Sequence, residues 1–146
     1  MHVLLASDHA GFALKATLIE YLKGEGYSVE DMGPHILVPD DDYPDYCIPL
    51  AERVAQNKGF FGIVIGLSGE GEAMAANRIK HARAAVYTGG PLEIVQLSRE
   101  HNDANILSFG ANFVSVGEAV VAAKLWLSTP FSGDERHLRR IEKLDQ

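Results

Sequence analysis

The residues best placed to do chemistry lie in "GIVIGLSGEGEAMAANR", Gly62 to Arg78. It begins as an apolar run and ends as a helical one, joined by Gly66-Leu67-Ser68-Gly69-Glu70-Gly71. Three glycines and a serine in six residues allow backbone N–H groups to converge on an anion at the start of a helix. The alternative is a strand-to-helix turn that merely needs positive φ angles. No Gly-Lys-Ser/Thr follows, so this is not a phosphate loop of the nucleotide-hydrolase type. It follows the third strand, not the first, which argues against a dinucleotide fingerprint. The two glutamates read differently. Glu70 suits the first turn of a helix electrostatically. Glu72 stands one residue past the last glycine, where its side chain can turn back over an anion pocket. A carboxylate there is a poor phosphate ligand and a good general base.

Other polar residues are weighed against this loop. Asp8-His9 closes the first apolar run and can contact a hydroxyl or a phosphate, although a histidine at a strand end is often only a surface residue. His101-Asn102-Asp103 has the composition of an ordinary helix-to-strand turn. Arg136-His137-Leu138-Arg139-Arg140 is a basic run in an acidic chain. It reads either as a solvated helix face or, with Arg136 and Arg140 four residues apart on one face, as a phosphate clamp. Asp40-Asp41-Asp42 lacks the spacing of a calcium loop and reads as solvated. Cys47, the only cysteine, reads as a small core residue away from the rim. It excludes an internal disulfide and a zinc cluster, and it fits a reducing cytoplasm.

The elements needed to position these residues follow from apolar spacing. Strands are expected over Val3–Ala6, Tyr27–Asp31, Phe60–Ile65, Ala82–Tyr87 and Asn105–Phe109. Helices are expected from Phe12 to the glycines at 24 and 26, and over Tyr46–Gln56, Glu70–Ile79, Pro91–Arg99, Val116–Leu127 and Arg136–Leu144. Met32 to Pro44 is a proline-rich loop. Alternating strands and helices specify an α/β fold with a parallel sheet covered on both faces. Ligands in such a fold sit at the carboxyl ends of the strands, which gathers Ser7-Asp8-His9, Gly66 to Glu72, Thr88-Gly89-Gly90 and Gly110-Ala111-Asn112 on one rim. With 146 residues, 47% of them hydrophobic, a single domain over 1–146 is expected. The net charge of −7 argues against nucleic acid and an anionic membrane surface. No apolar run approaches a membrane span, and the opening residues are not expected to be a signal peptide.

Several separated motifs together resemble one family. "SDHAGFALK", "DYPDY", the Gly66–Arg78 loop ending in "AANR", "SREHNDANILSFG" and "RHLRR" are similar, in order and spacing, to the ribose-5-phosphate isomerase B and galactose-6-phosphate isomerase family. The resemblance runs from Met1 to about Ile141. It implies a three-layer α/β/α sandwich, Rossmann-like, with a five-stranded parallel sheet. It implies a cytoplasmic homodimer, or a tetramer built from dimers, with active sites shared between subunits. It implies isomerisation of a sugar phosphate without metal, nicotinamide or flavin.

Many members carry a catalytic cysteine at the position of Gly66; another branch uses a glutamate at the position of Glu72. The resemblance therefore implies Glu72 as base, His101 as ring-opening acid, and Asp8 and Ser68 as catalytic partners. It implies sugar contacts from His9, Tyr43, Leu67, Gly69, Glu70, Gly71 and Asn102, and phosphate contacts from Arg136, His137 and Arg140 on a helix over about 134–145. Asn112 departs from the pattern, since an arginine often stands there. The chemistry implied is proton transfer between C2 and C1 through an enediolate held by the loop N–H groups and the Ser68 hydroxyl. Apolar neighbours such as Leu67 and Met74 are expected to raise the Glu72 pKa. The alternatives are isomerisation of a hexose 6-phosphate such as allose or galactose 6-phosphate, a sugar-phosphate-binding module without catalysis, and a flavodoxin-like nucleotide-binding domain.

Overall fold

A computed structural model describes all residues, 1–146. Its elements run β1 (His2–Ser7), α1 (Phe12–Gly24), β2 (Ser28–Asp31), α2 (Pro44–Gln56), β3 (Phe60–Gly66), α3 (Glu70–Ala76), β4 (Ala84–Tyr87), α4 (Glu93–Glu100), β5 (Ile106–Gly110), α5 (Val116–Ser128) and α6 (Glu135–Leu144). The five strands form one sheet in the order β2-β1-β3-β5-β4, and every pairing is parallel. The expected α/β/α sandwich is therefore present.

Period-two side-chain alternation divides the strands between two cores. Val3, Leu5, Ile63, Ile65, Leu107 and Phe109 meet Leu14, Leu18 and Leu22 of α1, Val95 of α4 and Trp126 of α5. Leu4, Ala6, Val64 and Ile106 meet Cys47, Leu50, Ala51 and Val54 of α2 and Ala75 and Ala76 of α3. The three α1 leucines recur every fourth residue and are buried, each contributing roughly 1.5–3 kcal/mol. The inner strands β1, β3 and β5 are closed on both faces, whereas the edge strands β2 and β4 are only partly covered.

Most boundaries shift by one or two residues from the sequence reading, α4 beginning at Glu93 instead of Pro91, and three of the shifts have a local reason. The α2 helix begins at Pro44, since a proline costs nothing where the N–H has no helical partner. The α3 helix ends at Ala76 because the Asn77 side chain turns to β4. Its Nδ2 donates to the Ala84 carbonyl at 3.0 Å and its Oδ1 accepts the Ala84 N–H at 2.8 Å. The β4 strand starts at Ala84, after a turn with His81 at φ 71°. A capping box at Ser115 and Glu118 starts α5.

The last helix, α6, stands apart, burying only His137. It is tied at both ends. His137 stacks on His101 with ring centroids 4.3 Å apart, and the Asp145 carboxylate accepts the His81 N–H at 3.0 Å and pairs with Arg83 at 3.5 Å.

Candidate functional site

The first cluster forms at the carboxyl ends of β1 and β3. Asp8 is buried, and its Oδ1 accepts the N–H groups of Ala10 at 2.9 Å and Gly11 at 3.1 Å. This side-chain-closed turn aims α1 away from the strand. Gly11 is required there, since a Cβ would lie 2.2 Å from the Ile65 carbonyl oxygen.

Across from it, the Gly66–Gly71 loop is shaped by its neighbours. Gly69 has φ 78°, the left-handed region that favours glycine, and its carbonyl accepts the buried Ser108 hydroxyl at 2.6 Å. The Tyr43 ring covers Gly71, where a Cβ would lie 2.7 Å from the phenol carbon. The Ser68 hydroxyl oxygen accepts the Glu70 N–H at 3.3 Å, which leaves its proton available to a ligand. The N–H groups of Ser68, Gly69 and Gly71 have no acceptor within the chain.

Glu72 is 3% exposed, whereas Glu70 is on the surface. The Glu72 carboxylate folds back over Gly66: a Cβ on Gly66 would lie 1.8 Å from Oε1 and 2.5 Å from Oε2. Burial raises its pKa above the ordinary carboxylate value, its own backbone N–H acts against that, and the nearby Asp8 charge adds to the rise. Leu67 is 51% and Met74 62% exposed, so both leave most of their apolar surface to solvent. Cys47 is a fully buried core residue, as expected, packed with Leu50, Ala51 and Val64. It is the fourth residue of α2, and after burial itself the charges of Glu72 and Asp8 push its thiol pKa upward.

His9 is held by a residue that the sequence suggested was solvated. Asp41 Oδ1 accepts both the His9 N–H and the His9 ring Nδ1–H, each at 2.8 Å. The Asp41 side chain is only 5% exposed. Nothing in the run of aspartates 40–42 distinguishes the middle one; only the approach of the 32–43 loop to the β1 turn does. Asn112 is exposed on the same rim, its N–H donating to the Leu67 carbonyl at 3.2 Å.

The second cluster is elsewhere. His101 caps the carboxyl end of α4, and the following residues lead into Ile106, which pairs with Gly62 at the amino ends of β3 and β5. His101 and Asn102 thus lie at the amino-end rim, and Glu72 and Asp8 at the carboxyl-end rim. The length of β5 separates them, roughly 13–17 Å at about 3.3 Å per residue. The Asn102 side chain is exposed, and its carbonyl accepts the Arg83 Nε–H at 3.1 Å.

His137 is buried with Nε2 unpartnered. Burial lowers its pKa, and the neighbouring His101 and Arg136 charges lower it further. Arg136 and Arg140 are exposed; the first lies 3.9 Å from Asp134. The largest cavity, about 640 Å³, is on this side too, between Asn77–Ala85, Asn102 and Leu144–Gln146. The chain thus brings together Asp8, His9, Tyr43, Ser68 and Glu72, separately brings together His101, His137 and the α6 arginines, and does not join the two groups. No cluster of three or more His, Cys, Asp or Glu side chains is arranged to hold a metal ion, and no helix is long and apolar enough to cross a membrane.

The family model described as Ribose/Galactose Isomerase matches residues 3–144. Ribose-5-phosphate isomerase B of Mycobacterium leprae is 41% identical over 144 residues, 99% of this chain and 88% of that protein. A crystal structure of ribose-5-phosphate isomerase B from Mycoplasma genitalium with bound ribulose-5-phosphate superposes with a TM-score of 0.93 at 36% identity, covering 99% of this chain and 93% of that one. The Clostridium thermocellum enzyme gives a TM-score of 0.93 at 39% identity, covering 99% and 95%.

Proposed function

The chain belongs to the ribose/galactose isomerase family, and from that membership we propose that it interconverts ribose 5-phosphate and ribulose 5-phosphate, with Glu72 as the base. The observation that carries the mechanism is the buried Glu72 carboxylate lying over Gly66. A base of raised pKa, partly dried and fixed by its backbone, suits removal of a carbon-bound proton near neutral pH.

Ring opening comes first. Asp8 takes the anomeric hydroxyl proton, the bond from C1 to the ring oxygen breaks, and His101 protonates that oxygen. Glu72 then removes the C2 proton, and its electron pair forms the C1–C2 double bond as charge moves to O1. The unpartnered N–H groups of Ser68, Gly69 and Gly71 and the Ser68 hydroxyl are suited to hold that charge. Glu72 returns its proton to C1, and the O2 proton passes to O1, leaving the ketone at C2. Arg136 and Arg140 supply donors for the phosphate, with His137 beside them. Tyr43, Leu67, Glu70 and Asn102 border the sugar, and Asn112 offers a neutral amide where relatives often offer a cation.

This mechanism needs His101 and Glu72 at one substrate, and their opposite rims in the sheet forbid that within one chain. A second copy related by a two-fold axis offers each site the partner's missing half. The apolar Leu67 and Met74, exposed beside Glu72, and the projecting α6 suit such a homodimer.

The test is a panel of pentose and hexose phosphates assayed for aldose–ketose conversion, with deuterium uptake from solvent at C1 and C2 followed by NMR. Turnover is expected with ribose 5-phosphate. Preference for allose or galactose 6-phosphate would move the reading to a hexose isomerase. Binding without turnover or exchange would make the chain a sugar-phosphate-binding module.

A further inference from the structure

The contact between Asp41 and His9 is not used by the mechanism above. In the carboxyl-end rim segments 7–11, 32–43, 66–71, 88–92 and 111–115, the only basic residues are His9 and His35. His35 is 73% exposed at the side chain and lies 3.6 Å from Asp31. Lys15 of α1 is occupied by Asp31 and the Pro34 carbonyl, which leaves His9, the sequence neighbour of Asp8, as the basic group held within the rim. Its surroundings are acidic from every side. Asp8 comes from the β1 turn and Asp40 and Asp41 from the 32–43 loop, while the Tyr46 phenol of α2 lies beside Asp41.

Asp41 grips His9 twice through one oxygen, at the backbone N–H and at Nδ1. Its other oxygen, Oδ2, is buried and makes no close hydrogen bond, although the Tyr46 phenol beside the carboxylate favours its ionised form. Beyond the donors of the His9 backbone and the Tyr46 phenol, an ionised carboxylate so covered is favoured by a cation against it. A neutral imidazole would meet the hydrogen bond and not the charge.

We propose that Asp41 is the positioning residue for His9: it locks the ring through Nδ1 and holds it as an imidazolium, whose Nε2–H is presented to an anionic oxygen of the sugar phosphate. The same contact raises the His9 pKa above the ordinary histidine value, with the neighbouring carboxylates acting in the same direction. The charge is therefore present at lower pH and is lost as pH rises through that raised value. The inference rests on the rim being a sugar-phosphate site.

The test is Asp41→Asn. The amide oxygen keeps an acceptor for both N–H groups, so geometry is retained and charge is removed. Three quantities are read: the His9 ring titration by NMR, assigned with His9→Gln; competitive inhibition by inorganic phosphate, with direct phosphate binding alongside; and KM against kcat for ribose 5-phosphate. The His9 midpoint is expected to fall in the variant. KM and the phosphate inhibition constant should rise about fivefold near neutral pH, the difference between a charged and a neutral hydrogen bond, with kcat within about twofold. Added to His9→Gln, Asp41→Asn should then cost nothing further. An unchanged His9 midpoint, or unweakened phosphate binding, overturns the proposal. Absence of ribose 5-phosphate turnover would overturn the isomerase reading instead, and the titration and phosphate binding would still decide the role of Asp41.

Discussion

The Glu72 carboxylate occupies the space that any side chain on Gly66 would need, with Oε1 only 1.8 Å from where a Cβ would stand. Base and glycine are thus one device. The strand end must be bare for the carboxylate to fold over it.

Gly66→Ala should therefore disable the enzyme by displacing its base. Loss of a positioned general base typically costs 10²–10⁴-fold, so kcat should fall on the order of a hundredfold. Far-UV circular dichroism should remain that of the parent. A variant with full kcat would show that the carboxylate need not lie over Gly66.

Glu72→Gln should lose on the order of a hundredfold or more in kcat, whereas Glu70→Gln, at an exposed helix start, should cost little, roughly 0.3–1 kcal/mol of local electrostatics. The same substitution should raise thermal stability. A carboxyl whose folded pKa is raised contributes stability below its ordinary value of 4.5 and loses it as pH rises through the folded pKa. Glu72→Gln should thus melt higher than the parent at neutral pH, and the gap should close in acid. In the parent, kcat should rise with pH through the same raised pKa. A melting difference independent of pH would contradict the burial-driven shift.

Sharing of sites between subunits can be read by complementation. Glu72→Gln and His101→Asn should each be poorly active on ribose 5-phosphate. After unfolding and refolding together, half of the dimers should be mixed, each with one intact site of two. Activity should return to about a quarter of the parent's, as expected for a two-fold dimer. Mixtures no better than their components would place both residues in one chain's site.

Lys15 is 1% exposed, with Nζ donating to Asp31 at 2.6 Å and to the Pro34 carbonyl at 2.7 Å. It pins the loop whose Gly33 carbonyl accepts the Ser7 N–H at 3.1 Å, next to Asp8. Lys15→Met keeps the apolar stem and leaves the carbonyl unpaired. Urea unfolding should show a loss of about 2–4 kcal/mol, as for breaking a buried pair. A loss below about 0.5 kcal/mol would make it no more than a surface-type pair.

Local chemistry made much of this legible in the chain. The apolar runs Val3–Ala6 and Ile63–Ile65, short and bounded by turn residues, read as strands covered on both faces, and Leu14, Leu18 and Leu22, within a run of helix-forming residues, read as one helix face. Both patterns depend on neighbours a few residues apart, so they are written directly in the sequence. The position of Glu72 one residue past a glycine-rich turn belongs to the same class. What surrounds that carboxylate does not. Leu67 and Met74, near it in sequence, are largely exposed, while Cys47, twenty-five residues earlier, shares a buried core with Ala75 and Ala76 of the same helix as Glu72. Asp41 cannot be told from Asp40 or Asp42 by residue type, because only the packing of its loop against the β1 turn makes it the partner of His9. The opposite rims of Glu72 and His101 were likewise settled by topology. A helix that returns antiparallel to its strand carries its last residues to the other edge of the sheet, whatever those residues are.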